Sequence, residues 1–181
     1  MKKLLYLALA LLCTTAVVAQ ESKSSSNPVS DTVRAMLGGR AKNLTAAAEA
    51  MPADKYGYKP TAEQMTFADL VAHIADGNNF YCSKLANQPQ PEKSSHGAPK
   101  DKLVAELKKS FDYCQTALKG VQDSQLGEQV TLFGGQPAPK AAALIGLTND
   151  WADHYGLAAT YLRLNGILPP TAQKPPAAEK K

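Results

Sequence analysis

The chain has 181 residues, with 20 Lys or Arg against 16 Asp or Glu, a formal net charge of +4. Part of that excess lies in the first three residues and in the C-terminal tail, and no basic stripe interleaved with aromatics occurs, so nucleic acid is not an expected partner. Once the two ends are set aside, the length fits one ordinary domain.

The opening stretch MKKLLYLALALLCTTAVVAQ has the layout of a secretory leader. Lys2 and Lys3 supply the positive start, residues 4–12 an unbroken apolar run, and Ala19 a small residue before the cut. The run is too short for a membrane span, so no stable membrane anchor is expected. Cys13 raises a lipoprotein alternative, but Leu12 directly before it is a poor match to the small residue that such a site needs. Cleavage after Ala19 makes the protein periplasmic or extracellular. Residues 20–29 read as a polar lead-in, and TAQKPPAAEKK, 171–181, as a disordered Pro/Ala/Lys tail.

Between them, 30–170, the apolar spacing predicts four helices. Residues 30–51 place Val33, Met36, Leu37, Ala41, Leu44, Ala48 and Met51 at helical intervals, with Ser30 as the expected N-cap. Gly38 and Gly39 lower the propensity there, which predicts either a close neighbour or a kink. After a loop beginning at Pro52, Thr66 and Asp69 have capping-box spacing, and Phe67, Leu70, Val71, Ile74, Tyr81, Cys82 and Leu85 form the next stripe. His73 sits at the edge of that stripe. A Pro-rich polar loop, 88–100, holds His96.

A third helix is expected at about 100–120, with Leu103, Leu107, Phe111, Cys114 and Leu118 on one face. The VTLF run in the following connection reads as extended loop rather than sheet, and Pro139 as a first-turn residue of the fourth helix. Leu144, Leu147, Trp151, His154, Ala158, Tyr161 and Leu162 line that helix, which Asn165–Gly166 stops. Four amphipathic helices without a credible sheet predict an all-α, antiparallel-type four-helix bundle, with the order of helices around it open. Cys82 and Cys114 fit two readings: a disulfide, as an even pair in an oxidising compartment, or two small buried hydrophobes.

Asp150 and His154 are four apart, so both side chains aim at one side of the fourth helix. Bundles build metal sites from such a pair plus a ligand on a facing helix, and His73 is the third group available. His96, in its Pro-Ser-Gly loop, is a weaker candidate. Spacing alone leaves open a solvated hydrogen-bonded pair instead of a ligand set.

The run HYGLAATYLRLNGILPP, with the acid at Asp150 before it, resembles the closing helix of the DinB/YfiT-like superfamily. MPADKYGYKPTAEQMTFADLVAHIADGNNFYCSKL resembles that family's first-to-second helix segment, and the likeness covers nearly the whole domain. The resemblance implies a metal-binding four-helix bundle. It places the first metal histidine at His73, in TFADLVAHIAD, and a second at His154, followed by Tyr155 and Gly156. Where the family usually has a further histidine this chain has Asp150. The implied set is therefore His73, Asp150 and His154 around a divalent ion, with Zn, Ni, Fe and Mn all open.

The resemblance also implies thiol-conjugate transferase, isomerase or hydrolase chemistry on an unknown small molecule, and many relatives pair as homodimers. The competing reading is a periplasmic ligand-binding or interaction domain with a vestigial metal site. In that reading Tyr56, Tyr58 and Lys59 rim a cleft; the plainer alternative is that those tyrosines cap the bundle end.

Overall fold

A computed structural model describes residues 25–173. The expected leader, Cys13 and residues 20–24 of the polar lead-in lie outside the described residues, as do 174–181 of the expected tail. Helices α1 (Pro28–Ala50), α2 (Phe67–Ala86), α3 (Lys100–Lys119) and α4 (Lys140–Leu164) make up the domain. Two short strands, β1 (Gln129–Thr131) and β2 (Pro137–Pro139), stand between α3 and α4. The expected all-helical bundle is thus present, with one small hairpin added.

The helices run around the bundle in the order α1, α3, α2, α4, each packing on its two neighbours. Their directions depart from a simple antiparallel arrangement. Asn78 meets Ser110 and Cys82 meets Cys114, both across 32 residues, and only parallel helices keep such an offset constant. The Pro-rich segment between α2 and α3 is the crossover that returns the chain to the same end. Antiparallel contacts join α1 to α3, where Arg34 reaches the Leu118 and Val121 carbonyls while Glu49 pairs with Lys108 at 2.7 Å.

The interior is apolar and aromatic. Trp151, Tyr161, Phe67, Met51, Leu44, Leu70, Ile74 and Leu107 are all fully buried. Cys82 and Cys114 form a disulfide between α2 and α3, with Cα atoms 5.2 Å apart and both residues buried, which decides between the two readings of that pair.

Three local expectations are corrected. α1 starts at Pro28, so Ser30 is inside its first turn and is not the N-cap. The cap comes from far away in sequence: Asp123 accepts the amides of Val29 and Ser30 at 2.9 and 2.8 Å and the Ser30 hydroxyl at 2.6 Å. Burial opposes ionisation of Asp123, but these hydrogen bonds outweigh it and hold its pKa below the usual carboxylate value. Second, part of the VTLF run is β1, paired antiparallel with β2 in the register Val130↔Ala138. Pro137 and Pro139 carry no N–H and so pair only at an edge, which is why the segment lacks a strand signature. Pro139 closes β2 and is the N-cap residue of α4, not a first-turn residue.

Third, Gly38 and Gly39 neither admit a close neighbour nor kink the helix. α1 is continuous through them, and a Cβ at either would have nothing within 4 Å. Removing glycine's extra backbone freedom at a strain-free helical position stabilises the fold. Gly38→Ala and Gly39→Ala should each raise stability by about 0.5–1 kcal/mol. Urea unfolding reads this directly, and a lower midpoint in either variant contradicts it.

The loop after α1 closes one end of the bundle. The Tyr56 hydroxyl donates to the Ala48 carbonyl at 2.7 Å, and its ring meets Phe67 edge-on at 5.3 Å. Tyr58 packs edge-on against Tyr161 at 6.0 Å, and Lys59 donates to the Ala62 carbonyl. These residues cap the bundle rather than rim a cleft. At the far end of the chain, Pro170–Ala172 forms a single 3-10 turn, with the Thr171 amide bonded to the Tyr155 hydroxyl at 3.0 Å.

Candidate metal centre

α2 and α4 run antiparallel, and their facing residues step in register. His73 lies against His154, with ring centroids 4.8 Å apart. One turn along, Gly77 faces Asp150; a Cβ on Gly77 would lie 2.8 Å from Asp150 Oδ2. One further turn along, Gly146 faces Tyr81, whose ring would come within 2.7 Å of a Cβ there. Each step moves four residues forward on α2 and four back on α4, the spacing that keeps side chains on one helix face.

This register brings all three expected ligands together. One ligand atom each from His73, Asp150 and His154 lies within 4.8 Å of the other two. His73 is exposed, whereas Asp150 and His154 are largely covered, His154 being 9 % exposed. The cluster therefore lies between α2 and α4, with its α2 member, His73, facing solvent. His96 stands apart from it. Its two ring nitrogens lie 3.4 and 3.2 Å from Asp69 and Asp76, outside the three-residue set.

The polar groups at the cluster are partly committed and partly free. His154 Nδ1 lies 2.8 Å from the Asp150 backbone carbonyl and 3.4 Å from Asp150 Oδ1. A carbonyl only accepts, so Nδ1 carries the proton in that contact and Nε2 is left as a lone-pair donor when the ring is neutral. The hydrogen bond to Asp150 raises the His154 pKa above 6.5; burial pulls the other way and loses. Asp150 Oδ2 is the exception to good satisfaction: it is buried and makes no hydrogen bond. Leaving a carboxylate oxygen so placed is costly unless a cation completes it.

A buried partnerless carboxylate oxygen, an imidazole oriented by a backbone carbonyl and a second imidazole nearby together fit a divalent cation. The orienting hydrogen bond on a ligating histidine is the usual outer-shell support of such sites. A second network holds the helices in register one residue away. The Trp151 indole donates to Asn78 Oδ1 at 2.7 Å, and Asn78 donates to Ser110 at 2.9 Å, all three residues being buried.

Gly77, Gly146 and Tyr81 are the parts of this site that sequence reading missed. Their signal was present as two glycines, one four residues after His73 and one four before Asp150. Without knowing that α2 and α4 face each other in that register, the glycines read as ordinary weak points in helices.

A bundle with two imidazoles and a carboxylate converging from antiparallel helices defines a class of candidate metal-binding helical proteins. The chain belongs to the DinB superfamily, whose family model matches residues 36–158. Solved structures agree on the fold. A DinB-like protein from Bacillus subtilis is similar at 20 % identity and TM-score 0.63, over 79 % of this chain and 99 % of that one. One from Bacillus cereus has 16 % identity and TM-score 0.67, over 77 % and 95 %. A mycothiol-dependent maleylpyruvate isomerase, solved as a histidine-to-alanine mutant, has 13 % identity and TM-score 0.58, over 70 % and 59 %. No significant match occurs among the curated proteins.

A metal bound at this cluster would compete with the His154 proton. A protonated imidazole cannot ligate, and the raised pKa keeps that proton on to higher pH than in a free histidine. In the metal-free protein the same shift contributes stability below the unfolded value of 6.5, lost as pH rises through the folded pKa. With metal present the sign reverses, and affinity should climb with pH over that window. Calorimetric titration in two buffers of different ionisation enthalpy should detect proton release on metal binding at about pH 6, with the release falling as pH rises. Zero release at that pH would show that the metal displaces no proton from His154.

Proposed function

We propose that the chain is an exported metalloprotein that holds one divalent ion between His73, Asp150 and His154 and uses it on a small molecule. The observation that carries this reading is the Asp150 carboxylate, whose Oδ2 is buried without a partner and which lies in one cluster with the two histidines. Three protein ligands leave further coordination positions for water or a substrate heteroatom, the arrangement of catalytic rather than structural sites. An ion there would polarise that group or lower its pKa, as in metal-dependent transferases and hydrolases.

The chain's own residues have separate tasks. Asp150 and His154 form the covered wall and His73 the exposed one, so a ligand approaches from the α2 side. The Asp150 carbonyl fixes the His154 ring, and Gly77 leaves the space that the Asp150 carboxylate fills. Two imidazoles and one carboxylate are compatible with Zn, Ni, Fe or Mn; replacing a histidine by a carboxylate moves the preference toward harder ions. Export rests on the N-terminal leader pattern. A disulfide accords with an oxidising compartment.

One observation favours a second reading. The 3.4 Å contact between His154 and Asp150 is already an ion pair when the ring is protonated, the arrangement of a vestigial site in a non-catalytic binding domain. Elemental analysis of protein purified from its native compartment separates the two. The metal reading expects near-stoichiometric divalent metal in the wild type and its loss in His154→Ala, with helical content unchanged because the apolar faces carry the bundle. Metal absent from the wild type, and not taken up on addition, leaves the binding-domain reading.

A further inference from the structure

We propose that Phe133, Phe80 and Tyr81 form an aromatic shelf that determines specificity at this site: the ligand places a metal-binding heteroatom at the His73–Asp150–His154 cluster and a flat aryl group on the shelf. The proposal rests on the metal reading above and adds the chemical class of the ligand.

Position comes first. Phe80 follows His73 by seven residues, two helical turns, so both lie on one face of α2, roughly 10 Å apart along the axis. Tyr81 lies on the Gly146 backbone, one turn of α4 from Asp150. Phe133 arrives from the hairpin tip and stacks on Phe80, with centroids 3.8 Å apart and planes 17° from parallel. Tyr81 meets it edge-on at 5.7 Å. The rings therefore stand about two turns along α2 from His73, on the face that carries that exposed histidine.

Exposure and anchoring come next. Phe133 is 65 % exposed although it is stacked, so Phe80 covers one ring face and much of the remainder is free. Exposure alone is ordinary for one surface side chain; what distinguishes Phe133 is that it already stacks on Phe80 and meets Tyr81 edge-on, which leaves a ring face set for one further aromatic contact. The place is fixed because the hairpin is tied down at both ends. The Lys140 and Ala141 amides donate to the Glu128 and Leu126 carbonyls at 2.8 and 2.9 Å. The tip bends through Gly134 and Gly135, whose φ values of 79° and 75° need glycine.

Size selects the occupant. The free part of one phenyl side chain is on the order of 130 Å², far below the roughly 800 Å² that each partner buries in a protein interface. A ring-sized ligand group matches it. Ligand sites of this kind pair aromatic walls with a few polar groups, here the three candidate metal ligands.

The test compares two hydroxamates, acetohydroxamate and biphenyl-4-hydroxamate, binding to the zinc-loaded protein by calorimetry. Both offer the same chelating group, and only the second reaches the shelf. The wild type should bind the aryl compound at least threefold to tenfold more tightly, the range expected for an added aromatic contact. Phe133→Ala should remove most of that preference while zinc content and acetohydroxamate affinity stay unchanged, and Phe133→Tyr should retain it. An aryl preference equal in wild type and Phe133→Ala, or none in zinc-loaded wild type, overturns the shelf and leaves the metal reading standing. A wild type that binds no zinc or other divalent metal overturns both, and metal content measured first tells the two failures apart.

Discussion

Gly77→Ala should separate metal binding from stability, lowering one and raising the other. A Cβ at 77 would stand 2.8 Å from Asp150 Oδ2 and 3.3 Å from its Cγ, so the carboxylate must move. The group that yields is the end of a side chain, so the fold absorbs the change cheaply. The helix gains about 1 kcal/mol of propensity when alanine replaces an interior glycine. Asp150, turned away from His73 and His154, no longer completes the set, and divalent-metal affinity should drop by about 10–100-fold, the scale of lost ligand support. Thermal unfolding without metal and metal titration on the same preparation give both numbers. A variant that unfolds later yet binds metal as well as the wild type would show that Asp150 is not a ligand.

The Cys82–Cys114 bridge should have the largest effect on stability. It closes a 32-residue separation, and the chain-entropy account then gives roughly 3–4 kcal/mol. For a domain of this size that corresponds to about 10 °C in unfolding temperature. Cys82→Ala with Cys114→Ala avoids leaving a lone thiol in the core. Reduction of the wild type should reproduce the loss, and thiol counting on denatured, unreduced protein should find neither cysteine free. Two reactive thiols in freshly purified, unreduced protein, or no shift on reduction, contradicts the bond.

What could be read from the residues alone follows the range of the interactions involved. Helix periodicity is local, so Leu44, Leu70, Leu107, Leu147 and Trp151 all identify buried faces correctly. The pairing of Asp150 with His154 is likewise local; His73, at the edge of the α2 stripe, is the available third group, and the family resemblance agrees with it. Features that depend on two distant segments were not legible. Ser30 has the chemistry of a cap, yet Asp123, 93 residues away, caps the helix instead. The hairpin escaped notice because its strands are three residues long and one contains two prolines, which leaves no alternation to detect. The parallel course of α2 and α3 could not be inferred from a loop long enough either to turn back or to cross over. Gly77 acquires its role only once Asp150 is opposite it.

Trp151 is the single tryptophan of the chain, fully buried, hydrogen-bonded through its indole to Asn78 and adjacent in sequence to Asp150. The molecule therefore carries its own optical reporter. A rigid, dry indole emits toward the blue, and its red shift on unfolding follows one position at the centre of the bundle, without added dye. Open-shell ions such as Ni or Co, seated beside the neighbouring carboxylate, would quench that emission by energy transfer, whereas closed-shell Zn would leave it bright. One fluorescence cuvette could thus follow loading, exchange between ions and loss of the fold as three separable signals.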